Sequence, residues 1–371
     1  MSPQAGRREL LVGLGATGAT LEELTGYLDD AYRGLARVAT PPEEPQTAFW
    51  RRCAAEAARH GVVRALARRF PQFGFPIEAG ISQSPGYRAA TRQGRFSPDA
   101  PAVVGIERED RLSLRVDEGF AGPVPVLVAR HRPDFVRLVQ ALTARNEPEE
   151  VPAAMGACLV KGLANWERVG EYRRLWEKRL GHPASDEAWA AEMATRLAPR
   201  KELWQDRLIL LSDGPYSAVP AAELGLTDEA WRERSLALRL AHETFHYLTL
   251  RRAGTLRSHL LDELLADYAG VVAAFGRYEA ARALRFLGLD RLPEIRPEGR
   301  LAVYRGNLTD EALAVLARLV ARAAAELETL SVETADPAQT AARLAHLAGF
   351  GLDGLATPGL AGRLARELAA G

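Results

Sequence analysis

The sequence is short of the residues that tie a protein to special environments. Only two of its 371 residues are cysteine, Cys53 and Cys158, which excludes a disulfide framework. Both sit in alanine-rich helical patterns and read as small buried hydrophobes. Net charge is also missing, with 48 basic side chains against 48 acidic ones. No long-range field therefore draws nucleic acid or an anionic membrane surface, and neither is expected as a partner. No apolar run reaches the roughly 18 residues that a membrane-spanning helix requires. The apolar patch near the N-terminus is broken by Gly6, Gly13, Gly15 and Gly18 and has no cleavage-type site. No signal peptide is expected, and the cytoplasm is the default compartment. Internal repeats and low-complexity tracts are absent, and nothing in the pattern reads out an oligomeric state.

What is there reads as an α+β chain, mostly helical. A helix is expected over about 20–36, with Thr20 as N-cap and Glu23 three residues on. A second follows over 47–69. Residues 70–101 form a long loop rich in Gly, Pro and Ser; its interleaved aromatics point to an ordered loop, and Ser82, Tyr87 and Arg88 are candidates to line a cleft. "AVVGIE", "RLSLRV" and "PVPVLVARH", within 102–131, read as strands separated by turn residues. Helical spacing resumes over 134–146, and 151–180 reads as two helices or one bent helix. "RLILLS" (207–212) is a short strand. From Thr227 onward helices are expected over 227–252, 256–275, 277–287 and 309–330, with two more near the C-terminus. These assignments divide the chain into an α+β region over 1–150, a helical region over 151–290, and a helical region over 291–371 that forms one unit with the second.

Two patterns are decoys. "GLGATG" (13–18) fits G-x-G-x-x-G, and "ELLV" before it resembles a short strand. No second strand follows the next helix, however, so the glycines read as the start of a helix rather than a dinucleotide site. Trp166, Tyr172 and Trp176 lie at helical spacing and read as a packing stripe.

The informative stretch is "LRLAHETFHYLTLRR" (238–252). His242 and His246 are four residues apart, so a helix sets both imidazoles on one face, one turn apart, able to bracket one ion. Glu243 projects beside them, placed to take a proton from a metal-bound water. Tyr247 points elsewhere on the helix. The next helix carries "DELLAD" (262–267), in which Glu263 and Asp267 share a face. A third ligand from a neighbouring antiparallel helix gives three protein donors and one open position, the pattern of a catalytic zinc site. A carboxylate that fixes a ligating imidazole is also expected. His259, four residues before Glu263, is expected to be solvated or to support a ligand, with direct ligation as the alternative. The other histidines, His60, His131, His182 and His346, read as surface or packing residues.

Here the sequence resembles the gluzincin branch of the zinc metallopeptidases, the thermolysin-like group, in which a His-Glu-x-x-His helix is followed by one bearing Asn-Glu-x-x-Ser/Ala-Asp. This chain has Asp262-Glu263-Leu264-Leu265-Ala266-Asp267. The resemblance covers about 30 residues, Asp262 stands in the usual Asn position, and the spacing from His246 to Glu263 is short. It implies a helical zincin-like core with the N-terminal helices and small sheet packed against it. It implies His242, His246 and Glu263 as Zn2+ ligands, Glu243 as general base, and Asp267 as the residue orienting His242. A downstream Tyr, His or Arg would stabilise the oxyanion; Tyr304 and Arg305 are the local candidates.

The expected activity is hydrolysis of a peptide or other amide-type bond in a specialised intracellular peptide or small molecule. Two alternatives share the residues. Two His and one carboxylate also describe the open triad of non-haem iron enzymes. A non-catalytic zincin-like binding domain is the other, although such a domain has no need of Glu243.

Overall fold

The computed structural model describes residues 3–28, 32–39, 41–254, 260–297, 299–331 and 336–370. Among them the chain is mostly helical with one four-stranded sheet, the α+β class expected. Two compact units interleave along the sequence. One comprises Met1–Pro41, Gly119–Ala121 and Pro215–Gly371; the other comprises Pro42–Glu118 and Gly122–Gly214. These boundaries differ from divisions at 150 and 290. The first helices belong with the C-terminal half, and position 150 falls inside the sheet-bearing unit.

In the sheet-bearing unit the strands are β1 (Leu112–Asp117), β2 (Val124–Ala129), β3 (Ala157–Ala164) and β4 (Gln205–Leu211), in the order β1-β2-β4-β3. β1 and β2 form a hairpin in which Leu112 pairs with Ala129. β2 and β4 are parallel, and β3 runs antiparallel to β4. Every residue of β2 is buried, which explains why it reads as a continuous apolar run rather than an alternation. Phe49, Trp50, Phe70, Phe73 and Phe135 build the core beside Leu127 and Leu208. Trp50 stacks on Phe70 at 5.3 Å between ring centroids.

Four expectations fail in this unit. Residues 157–164 are a strand, not a helix, because "ACLVKGLA" finds ladder partners on β4 that outweigh its helical composition. "AVVGIE" is not a strand: the amides of Glu107 and Arg108 are taken by the Asp134 carboxylate at 2.8 and 2.9 Å, and that of Val103 by Phe73. The 70–101 segment contains a helix, Pro85–Gln93, with Ser84 accepting from the Tyr87 amide at its N-cap. Gly61 breaks the expected 47–69 helix into Thr47–His60 and Val62–Ala67.

The other unit is helical. "ELLV" lies in a helix, Pro3–Gly13, rather than a strand. The next helix, Gly18–Tyr27, is capped by Thr17 with Thr20 reaching back, not by Thr20 with Glu23, and ends short of position 36. Arg7 of the first helix pairs with Asp353 of the Pro337–Leu355 helix at 2.9 Å, with both side chains largely buried. The centre of the unit is a helix pair, Asp228–Ala253 and Leu260–Phe275. Thr227 caps the first by accepting from the Ala230 amide, with Asp228 and Glu229 in the first turn, and Gly254 closes it with φ +71. The pair is antiparallel, since 238 meets 270, 242 meets 267 and 246 meets 263. Gly270 permits this approach: a Cβ there would stand 2.8 Å from the Leu238 carbonyl oxygen. Leu238, Phe245, Leu264 and Leu265 are fully buried in this region, each contributing about 1.5–3 kcal/mol. His242, Glu243, Glu263 and Asp267 are buried as well, and such groups are costly unless they are partnered.

Candidate metal centre

Helical spacing brings His242 and His246 to one face, and the antiparallel partner sets Glu263 opposite them. The His242 and His246 Nε2 atoms are 3.1 Å apart. His246 Nε2 lies 3.3 Å from Glu263 Oε1, and His242 Nε2 lies 3.6 Å from Glu263 Oε2. One ligand atom from each residue falls within 4.8 Å of the others. A tetrahedral ion with bonds of 2.0–2.1 Å separates its ligand atoms by about 3.3 Å, so the donor set is spaced for one zinc-sized ion. The chemistry fits too, with two imidazoles and a carboxylate.

The surrounding residues hold these donors in place. Asp267 Oδ1 and the Tyr216 hydroxyl each lie 3.0 Å from His242 Nδ1. That contact fixes the ring and leaves Nε2 facing the donors, as metal-ligating histidines require. The Tyr216 hydroxyl donates to Asp267 Oδ1 at 2.5 Å. Arg300 then closes the network. One of its nitrogens donates to Tyr216 at 2.7 Å and to both Asp267 oxygens at 3.0 and 3.1 Å, and the other donates to Glu263 Oε2.

Electrostatics follow from this arrangement. Burial alone would raise the Glu263 and Asp267 carboxyls, but the Arg300 guanidinium and the histidines hold both below the usual carboxylate range. Burial opposes charging of His246, yet the hydrogen bond and charge of Glu263 prevail and lift it to about 9. Burial pushes the Tyr216 and Tyr304 hydroxyls up, so both stay protonated donors.

The expected site residues are placed as follows. His242, His246, Glu263 and Asp267 converge. Glu243 lies beside them, 8% exposed, and among the described residues its carboxylate forms no hydrogen bond or ion pair. Asp262 is buried and accepts from the Tyr32 hydroxyl at 2.9 Å. Tyr304 reaches Glu263 closely enough for a side-chain hydrogen bond. Arg305 does not join the site; its guanidinium donates to the Leu308 carbonyl and to Asp310. His259 lies outside the described residues. Ser82, Tyr87 and Arg88 belong to the sheet-bearing unit, where Tyr87 packs on Phe75 and bonds Asn146. Sequence reasoning missed Tyr216 and Arg300. The only signals were the "DGPYS" turn after β4 and an arginine four residues before Tyr304.

Among the described residues no helix is long and apolar enough to cross a membrane. No curated protein and no solved structure matches the chain. A family model described as "Family of unknown function (DUF7005)" matches residues 9–359, and the chain belongs to that family.

Proposed function

We propose that this protein is a zinc-dependent hydrolase that cleaves a peptide or other amide-type bond in a peptide or small-molecule substrate. The observation that carries the reading is the spacing of His242, His246 and Glu263, with Glu243 buried and unpaired beside them. His242, His246 and Glu263 would hold the ion. A bound zinc ion supplies a Lewis acid and a water acidified toward a pKa of about 7. Glu243 acts as general base toward the attacking water and returns the proton to the leaving nitrogen. Asp267 and Tyr216 keep His242 oriented. Tyr304, protonated and next to Glu263, supports the reading as a hydroxyl donor for the negative charge that develops on the carbonyl oxygen. The gluzincin resemblance of the two helices agrees with these roles.

Metal analysis of protein purified without added metal tests the first half. One zinc per chain, lost in His246→Ala, is expected; iron in its place would shift the reading to an oxygenase triad. Turnover of an amide library by the wild type, abolished in Glu243→Gln while zinc stays bound, tests the second half. A fully active Glu243→Gln would remove the general base.

A further inference from the structure

A cleft of about 620 Å³ opens in the sheet-bearing unit. Four arginines line it, Arg59, Arg64, Arg68 and Arg69, against two glutamates, Glu56 and Glu167. These residues come from separate pieces of chain: the Thr47–His60 helix, the Val62–Ala67 helix and the turn after it, and the start of the Trp166–Leu180 helix. The arginines therefore converge on a concavity rather than fanning out from one helix face.

Pairing within the cleft is uneven. Both glutamates face Arg69, which is 13% exposed and lies 2.6 Å from Glu56 and 3.4 Å from Glu167; Glu56 also lies 3.8 Å from Arg68, and Glu167 3.4 Å from Arg52. Arg68 is held at 2.7 Å by Asp99, whose side chain is 79% exposed, a surface pair worth little. Among the described residues, neither Arg59 nor Arg64 forms an ion pair. In a chain of zero net charge the positive excess is local to this cleft.

The cleft also has a flat wall. The Trp166 indole donates to the Thr91 carbonyl at 3.2 Å. It lies against the backbone of Gly94, where φ is +67 and a Cβ would come within 2.7 Å of the ring. The ring is therefore fixed in orientation, and Phe96 lines the same space. Guanidinium forks match phosphate oxygens in geometry and charge, and aromatic walls favour planar rings.

We propose that this cleft binds a small phosphorylated ligand carrying a planar ring, with its phosphates on Arg59, Arg64 and Arg68 and its ring beside Phe96 and Trp166. The site is independent of the metal centre and stands whether or not that centre hydrolyses anything. Calorimetric titration with ADP, and with pyrophosphate as the ring-free comparison, tests it on the full chain. ADP is expected to bind with a Kd under about 1 mM at low salt, and more tightly than pyrophosphate. The double variant Arg59→Ser/Arg64→Ser, at two exposed positions, should weaken ADP at least tenfold. The control Arg232→Ser/Arg366→Ser, which removes two exposed arginines from the other unit, should leave it unchanged. Absence of ADP binding at millimolar concentration overturns the proposal. So does equal weakening in the control pair, which would reduce the effect to overall charge, and so does pyrophosphate binding as well as ADP, which would remove the ring from the recognition.

Discussion

Arg300 grips Asp267 through both carboxylate oxygens, at 3.0 and 3.1 Å, while Asp267 itself is fully buried. The same guanidinium also reaches Glu263 and Tyr216. One cation thus bridges the two carboxylates that contact the histidines. Arg300→Met leaves those carboxylates buried without their partner, and breaking a buried pair costs about 3–5 kcal/mol. Urea unfolding should show a loss of that order, whereas Arg305→Ser, which breaks an exposed contact to Asp310, should change stability by less than about 1 kcal/mol. Equal losses in the two variants would contradict the network.

Zinc should stabilise the fold by mass action. At a thousandfold excess over Kd the gain is about 4 kcal/mol. Thermal melts with and without zinc should therefore separate by several degrees in the wild type and coincide in His246→Ala. A variant that still responds to zinc as the wild type does would show that the ion binds elsewhere.

Gly270 sets the distance between the two helices that carry the donors. A valine there drives its branched carbon into the Leu238 carbonyl oxygen and side chain, at 2.8 and 2.9 Å from the first added atom. Overpacking of this kind costs about 1–3 kcal/mol. Because 238–270 and 242–267 are adjacent rungs of the same pair, zinc affinity by chelator competition should fall along with stability. Unaltered affinity in a destabilised Gly270→Val protein would show that the donors tolerate helix separation.

Asp206 gives the sheet-bearing unit a pH dependence. Burial raises its carboxyl to about 6 against the pull of Arg168 and Asn165, from an unfolded value near 3.9. The fold therefore holds this proton more tightly than the unfolded chain. Its stabilising share is full below about pH 4 and is lost as pH rises through about 6. Asp206→Asn has no such proton to lose. Relative to the wild type, the variant should gain about 2–3 kcal/mol between pH 4 and pH 7. Parallel stability curves for the two proteins across that range would refute the burial effect.

The sequence exposed the part of the site that is periodic. His242, Glu243 and His246 share one helix, Glu263 and Asp267 share the next, and spacing alone placed each set on a face. Tyr216 and Arg300 were invisible because they arrive by tertiary folding, one from a turn after β4 and one from the start of a short helix. Arginine is also so common in this chain that a single one draws no attention. Arg305 looked better than Arg300 only through its position next to Tyr304; the choice was decided by which guanidinium had a carbonyl and an exposed carboxylate close at hand. β3 was misread for a related reason. "ACLVKGLA" has helical composition, and its partner, β4, lies more than forty residues further on.

The interleaving of the two units bears on how the chain is made. Met1–Pro41 belongs with Pro215–Gly371, and Arg251 ties the short return at Gly119–Ala121 and the end of the first segment, Pro41, to the donor helix through their carbonyls. On a ribosome, the first segment emerges roughly 170 residues ahead of its partners, a wait of about ten to thirty-five seconds at 5–20 residues per second. By the end of that interval the sheet-bearing unit, whose inner strand β4 is made last, has all of its chain, while Leu11, Leu21 and Leu24 have had no core to enter. The helical unit therefore closes only after the sheet-bearing unit has been synthesised, although one of its segments precedes that unit in the chain.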